Sequence, residues 1–159
     1  MKILVRGYGN PGRQDDGLGV LFVERLEAWA ALAGVSSVSF DADYQLHAEA
    51  AYDLAQLDLT LFVDAAADQQ QPFRLARVLP GKALSFSTHG MSPEEVVALA
   101  SELYGAAPQV FLLTIRGYGW EPFEELTPGA AANLDAALDF AKPLLLNPAD
   151  KAGLYFTQG

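Results

Sequence analysis

Three stretches of the sequence carry residue types that could do chemistry. The first is a glycine-rich loop, Gly7-Tyr8-Gly9-Asn10-Pro11-Gly12-Arg13-Gln14-Asp15-Asp16-Gly17-Leu18-Gly19. The second is Asp64, which ends the apolar run Leu59-Thr60-Leu61-Phe62-Val63. The third is Ser87-Thr88-His89-Gly90. Two carboxylates and an imidazole, if they converge, make a site for a borderline divalent cation, and such ligands suit nickel or zinc as well as manganese. Each group also has a plainer use. Asp15 or Asp16 could cap the first helix. A charge after an apolar strand needs solvent or a partner, and a histidine in a loop is often structural. His47 reads as a helix-surface residue, and Asp41 and Asp43 as solvated strand ends.

Some chemistries are excluded. There is no cysteine, which removes disulfides, thiolate metal sites and Cys nucleophiles together. No Ser–His–Asp arrangement and no His-Glu-x-x-His motif is present, so serine-protease and zincin mechanisms are disfavoured. Gly7, Gly9 and Gly12 formally match the dinucleotide fingerprint Gly-x-Gly-x-x-Gly. Pro11 sits inside it, however, and the helix begins only near Asp16, too late to receive a pyrophosphate. The loop also lacks a Walker lysine.

The elements that must position these residues alternate strand and helix, which predicts an α/β layer fold. Ile3 to Arg6 reads as a buried first strand. A helix is expected from about Gly17 to Ala33, with Leu18, Phe22, Leu26, Trp29 and Ala33 on one face. Val35 to Phe40 reads as a strand and His47 to Leu57 as a helix. Leu59 to Val63 has the continuous apolar run of a central parallel strand. Phe73 to Leu79 reads as another strand. Ser92, Pro93 and Glu95 spell a capped helix start, whose apolar face uses Val96, Leu99, Ala100 and Leu103. Gln109 to Ile115 is a strand. Thr127-Pro128 opens a last helix carrying Leu134, Leu138 and Ala141 inward and stopping near Pro143. Ligands of open α/β sheets bind outside the carboxyl ends of the strands, where all three polar stretches should fall. Arg13 and Arg116 also fall there, as candidates for binding a substrate backbone or terminal carboxylate.

Length and composition fit this organisation. The 159 residues are 51% apolar and 19% charged, a globular composition of one domain's size. We expect one domain over residues 1–147, followed by a tail at 148–159. A net charge of −10 argues against nucleic acid or an anionic membrane surface as partner. The first apolar run is too short for a signal peptide and no run approaches a membrane span, so a soluble, cytoplasmic protein is expected.

The three stretches together resemble the hydrogenase maturation endopeptidases. The resemblance rests on Gly7-x-Gly9-Asn10 leading to Asp15-Asp16-Gly17-x-Gly19, on Val63-Asp64-Ala65, and on Ser87-Thr88-His89 before a helix. It extends to Tyr44-Gln45-Leu46, to Ile115-Arg116-Gly117 and to Leu126-Thr127-Pro128, and spans Lys2 to about Pro143. It implies a three-layer α/β/α sandwich around a mostly parallel sheet. It also implies an endopeptidase that removes the C-terminal extension of the large-subunit precursor of a nickel–iron hydrogenase after nickel insertion. Asp16, Asp64 and His89 fall on the family's metal-associated positions, so the resemblance assigns them both the catalytic and the metal-contacting roles. Nickel would come with the substrate, and another divalent cation could take the same site. One departure is Tyr8, where the family often has a small or aliphatic residue. Two other readings stay open: a non-catalytic chaperone that binds nickel-loaded large subunit, and a small-molecule hydrolase or phosphorylase of the same fold, which would want a phosphate nest.

Overall fold

The short apolar runs of the sequence become strands of a single sheet. In the computed structural model, which describes residues 1–81 and 90–146, these are β1 (Ile3–Tyr8), β2 (Val38–Asp43), β3 (Leu59–Ala66), β4 (Phe73–Arg77) and β5 (Gln109–Arg116). Their order is β2-β1-β3-β5-β4. All neighbours are parallel except β4, which runs antiparallel to β5 at the edge. The helices are α1 (Leu18–Ala33), α2 (Glu49–Ala55), α3 (Pro93–Tyr104) and α4 (Pro128–Leu146).

Successive side chains on a strand point to opposite faces, and the two faces carry separate cores. Val5, Leu61, Val63, Leu113 and Ile115 pack with Leu18, Phe22 and Leu26 of α1 and with Leu134, Ala137 and Leu138 of α4. On the other face Phe62 and Val110 pack with Ala50, Ala51 and Leu54 of α2 and with Val96, Val97 and Ala100 of α3. The architecture is therefore the three-layer α/β/α sandwich with a mostly parallel sheet that was expected.

Four sequence expectations need correction. Strand β2 begins at Val38 and runs on to Asp43, so Asp41 and Asp43 belong to the strand. The Arg6 guanidinium lies 2.9 Å from Asp41 and 3.0 Å from Asp53, which makes Asp41 an ion-pair partner and not merely a solvated end. Helix α4 continues past Pro143 to Leu146. A proline inside a helix costs about 3 kcal/mol, but Leu144 and Leu145 behind it are buried, and burying a leucine returns roughly 1.5–3 kcal/mol. Leu103, expected to face inward, is 62% exposed, and Ala33 is exposed as well. Both stand in the last turn of their helix. The tail at 148–159 and the Ser87-Thr88-His89 stretch lie outside the described residues.

Candidate active site

The chain reverses direction across the sheet between β1 and β3. From β1 it crosses to β2 on one side, then returns to β3 on the other. The carboxyl ends of two strands that part in this way leave a crevice, and ligands of open α/β sheets bind there. The glycine-rich loop leaves β1 at this crevice, and Asp64 stands on β3 one residue beyond Val63, the register partner of Gly7.

The glycines let the loop and the start of α1 lie against the strand ends. A Cβ on Gly7 would strike the Gly19 carbonyl, and one on Gly19 would strike the Val63 carbonyl and come within 2.8 Å of the Tyr8 oxygen. The backbones at the crevice are thus in contact with no room for side chains. Gly19→Ala is expected to cost several kcal/mol, on the scale of about 1–3 kcal/mol or more for overpacking, and would appear as a lower midpoint in urea unfolding.

Polar bonds fix the loop. Asn10 accepts from the Gly12 N–H at 2.9 Å through its side chain, and from the Arg13 N–H at 3.1 Å through its carbonyl. The Asn10 N–H donates to an Asp16 carboxylate oxygen at 2.9 Å. Gln14–Gly17 then form a 3-10 turn before α1, and neither Asp15 nor Asp16 caps that helix. The two adjacent carboxylates do different work. Asp15 is fully buried and accepts from the N–H groups of Tyr118 (2.7 Å), Gly119 (3.0 Å) and Thr127 (2.9 Å) and from the Thr127 hydroxyl (2.7 Å). Burial alone would raise its pKa. The hydrogen bonds from Thr127, Tyr118 and Gly119 outweigh that and hold it below the usual carboxylate range. Asp15 is a structural clasp joining the first loop to residues 117–127. Thr127 also caps α4, accepting from Ala130 N–H at 3.3 Å.

Asp16 is half-buried and close enough to Asp64 for its charge to be felt there. Burial pushes the Asp64 carboxyl up to about 7, with the Asp16 charge adding to the rise, while the hydrogen bond from the Ala65 N–H (2.8 Å) and the nearby Tyr8 hydroxyl work against it. Two neighbouring half-buried carboxylates, one with its pKa pushed up to about 7, are the kind of pair found in cation-contacting or acid–base sites. Among the described residues no group of three His, Asp or Glu gathers that could hold a metal. His89 lies outside those residues, and of the three expected groups Asp16 and Asp64 lie near enough for the Asp16 charge to act on Asp64.

His47 is exposed just before α2, away from any helix interior. Arg13 is exposed at the loop's rim. Arg116 is engaged within the protein: its guanidinium donates to the Gln69 carbonyl and lies 5.0 Å from the centroid of the Tyr118 ring. Sequence reasoning missed Tyr8 and the clasp formed by Asp15. The adjacency of β1 and β3 would have placed Tyr8 beside Asp64.

Solved structures with this fold exist. A structure of the hydrogenase maturating endopeptidase HybD from Escherichia coli matches with a TM-score of 0.72 and 24% identity over 94% of each chain. A NiFe hydrogenase maturation protease, HycI, from Thermococcus kodakarensis matches with a TM-score of 0.69 and 24% identity, over 92% of this chain and 93% of that one. The chain has the fold of the hydrogenase maturation proteases. The solution structure of a further endopeptidase from Escherichia coli matches with a TM-score of 0.70 and 22% identity over 94% of each chain. No family model matches the sequence, and neither does any curated protein. The likeness to these proteases therefore rests on fold, together with the motifs quoted above. Among the described residues no helix is long and apolar enough to cross a membrane.

The Asp64 shift fixes a pH dependence. Its folded pKa lies above the unfolded value, so the folded state holds a proton that the unfolded state has released. Stability from this group is full below about pH 4 and is lost as pH rises through about 7, by roughly 3–4 kcal/mol. Asp15 acts oppositely, its contribution being lost only as pH falls below the ordinary carboxylate range. Urea unfolding of the free protein should therefore show a higher midpoint at pH 5 than at pH 8. Equal midpoints would contradict the placement of Asp64.

Proposed function

We propose that this chain is an endopeptidase of the aspartyl type that removes the C-terminal extension from the large-subunit precursor of a nickel–iron hydrogenase. Nickel already held by that substrate is the recognition element. The observation that carries the reading is the convergence of Asp16 and Asp64 at the switch point of a fold shared with such proteases. In this reading Asp16, Asp64 and His89 contact the nickel carried by the precursor. The absence of cysteine fits, because carboxylate and imidazole donors do not compete with thiolates for the metal.

Hydrolysis needs a group that takes a proton from water as the oxygen attacks the peptide carbonyl, and that returns a proton to the departing amine. A carboxylate whose pKa is close to the working pH suits both halves of that exchange, and the Asp64 value near 7 supports its assignment to this step. The Asp64 carboxylate must be deprotonated to act as base, so cleavage should rise with pH toward 7 while the stability of the free protein falls over the same range.

The test is the intact mass of the precursor after incubation with this protein. The expected products are a shortened large subunit and a C-terminal peptide whose masses sum to the precursor plus one water. A stable complex of unchanged mass would instead favour the chaperone reading, and no complex and no cleavage would contradict both.

A further inference from the structure

We infer that Phe123 is a docking anchor for the protein substrate: its ring seats in an apolar pocket on the folded body of the precursor, beside the segment presented to Asp16 and Asp64. The inference rests on the proposed function and deepens it by naming a surface that selects the substrate.

Phe123 is 96% exposed. One exposed apolar side chain is ordinary, and Leu32, 91% exposed on the regular helix α1, is such a case. Phe123 differs in its backbone. It follows Pro122 in a turn and has a φ of 63°, a conformation in which glycine is the usual occupant and a bulky residue is an outlier. Among the described non-glycine residues only Gln14, at 52°, shares a positive φ. The chain thus strains its backbone to hold a large apolar ring in water. Neither feature helps folding, and strained backbone that its surroundings hold in place marks functional positions.

The surroundings tie that strain to the crevice. The Phe123 N–H donates to the Gly12 carbonyl at 2.9 Å, and the Asp15 N–H to the Gly119 carbonyl at 3.1 Å. The Glu121 N–H donates to the Gln14 side-chain oxygen at 3.1 Å. The stretch 117–127 is therefore laced along the glycine-rich loop, and the two strained residues lie on opposite sides of one seam. Gly12 stands two residues from Asn10, about 7 Å at full extension, and the Asn10 N–H holds the Asp16 carboxylate. On the loop's other flank, beyond the end of β2, exposed Tyr44 lines a cavity of about 210 Å³ with Gly9 and Pro11. Phe123 thus stands at the rim of the crevice. A small molecule or a free peptide held at the carboxylates would not need it. A folded protein that presents its own segment to the crevice lies across this rim. An aromatic ring entering a partner's apolar pocket is the usual anchor of such an interface.

The experiment measures kcat and KM on the nickel-loaded precursor, and urea midpoints, for the wild-type protein, Phe123→Gly, Phe123→Tyr and Leu32→Ser. Glycine relieves the backbone and removes the ring, so the midpoint should stay or rise. The expected result is a KM about thirtyfold higher in Phe123→Gly with kcat unchanged, the signature of lost uniform binding. Phe123→Tyr keeps the ring and should stay close to wild type, as should Leu32→Ser. If Phe123→Gly keeps the wild-type KM, or its KM rises no more than that of Leu32→Ser, the anchor is overturned and the proposed function stands. A lower urea midpoint accompanying the raised KM also overturns it, because the residue would then be structural. If the wild-type protein does not cleave the precursor, the proposed function fails and the anchor with it.

Discussion

Asp64→Asn should abolish precursor processing while making the protein more stable. The two effects have one cause. A carboxylate in this crevice is buried beside the Asp16 charge, and its pKa is pushed up to about 7. At pH 8 the wild-type protein holds an ionised group where ionisation is disfavoured. Asparagine removes that charge, keeps the shape, and retains an oxygen to accept from the Ala65 N–H. The gain should be about 2 kcal/mol at pH 8, and the urea midpoint should rise accordingly. The amide can neither take a proton from water nor bring negative charge to a cation, so the cleavage rate should fall by about a thousandfold or more, within the range general-base removal produces. Asp16→Asn should also lower cleavage, while leaving an oxygen to accept from the Asn10 N–H. A variant that lost activity and stability together would point to a structural role for Asp64.

Asp15→Ala should do the reverse of Asp64→Asn in stability. Four donors converge on this carboxylate: three backbone N–H groups and the Thr127 hydroxyl. Alanine leaves them without an acceptor in a place that water does not reach. Each such loss costs roughly 1–3 kcal/mol, and they do not add fully, so a total of about 4 kcal/mol is expected. That is a large part of the stability of a domain this size. Asp15→Asn should be nearly as damaging, because its NH₂ would face N–H groups. The measurement is urea unfolding at pH 7, and a shift below about 1 kcal/mol would contradict the clasp, since even one lost bond to a charged acceptor reaches that scale.

The contrast between these neighbours shows what the sequence could and could not disclose. The motif Asp15-Asp16 announced a carboxylate at the mouth of β1, and the family resemblance chose Asp16. Spacing alone cannot tell which of two adjacent side chains turns inward in a 3-10 turn, because that depends on the loop at 117–127 packed against it. The strands β1, β3 and β5 were legible because burial on both faces demands unbroken apolar runs. The start of α3 was legible because Ser92 and Glu95 form a reciprocal capping box, with Glu95 N–H donating to the Ser92 hydroxyl at 3.2 Å. The end of α4 was not, because two leucines beyond Pro143 find cover that no local rule anticipates. Tyr8 read as an oddity within the motif until the pairing of β1 with β3 set it beside Asp64.

The central claim is that a carboxylate pair at this switch point cuts a peptide bond only where the substrate presents nickel. The most direct measurement is a paired intact-mass assay on one large-subunit precursor, prepared nickel-loaded and nickel-free, each incubated with the wild-type protein. The expected result is loss of a C-terminal peptide from the nickel-loaded precursor and no change in the nickel-free one. Equal cleavage of both forms would contradict nickel as the recognition element, and an unchanged nickel-loaded precursor would contradict the peptidase itself.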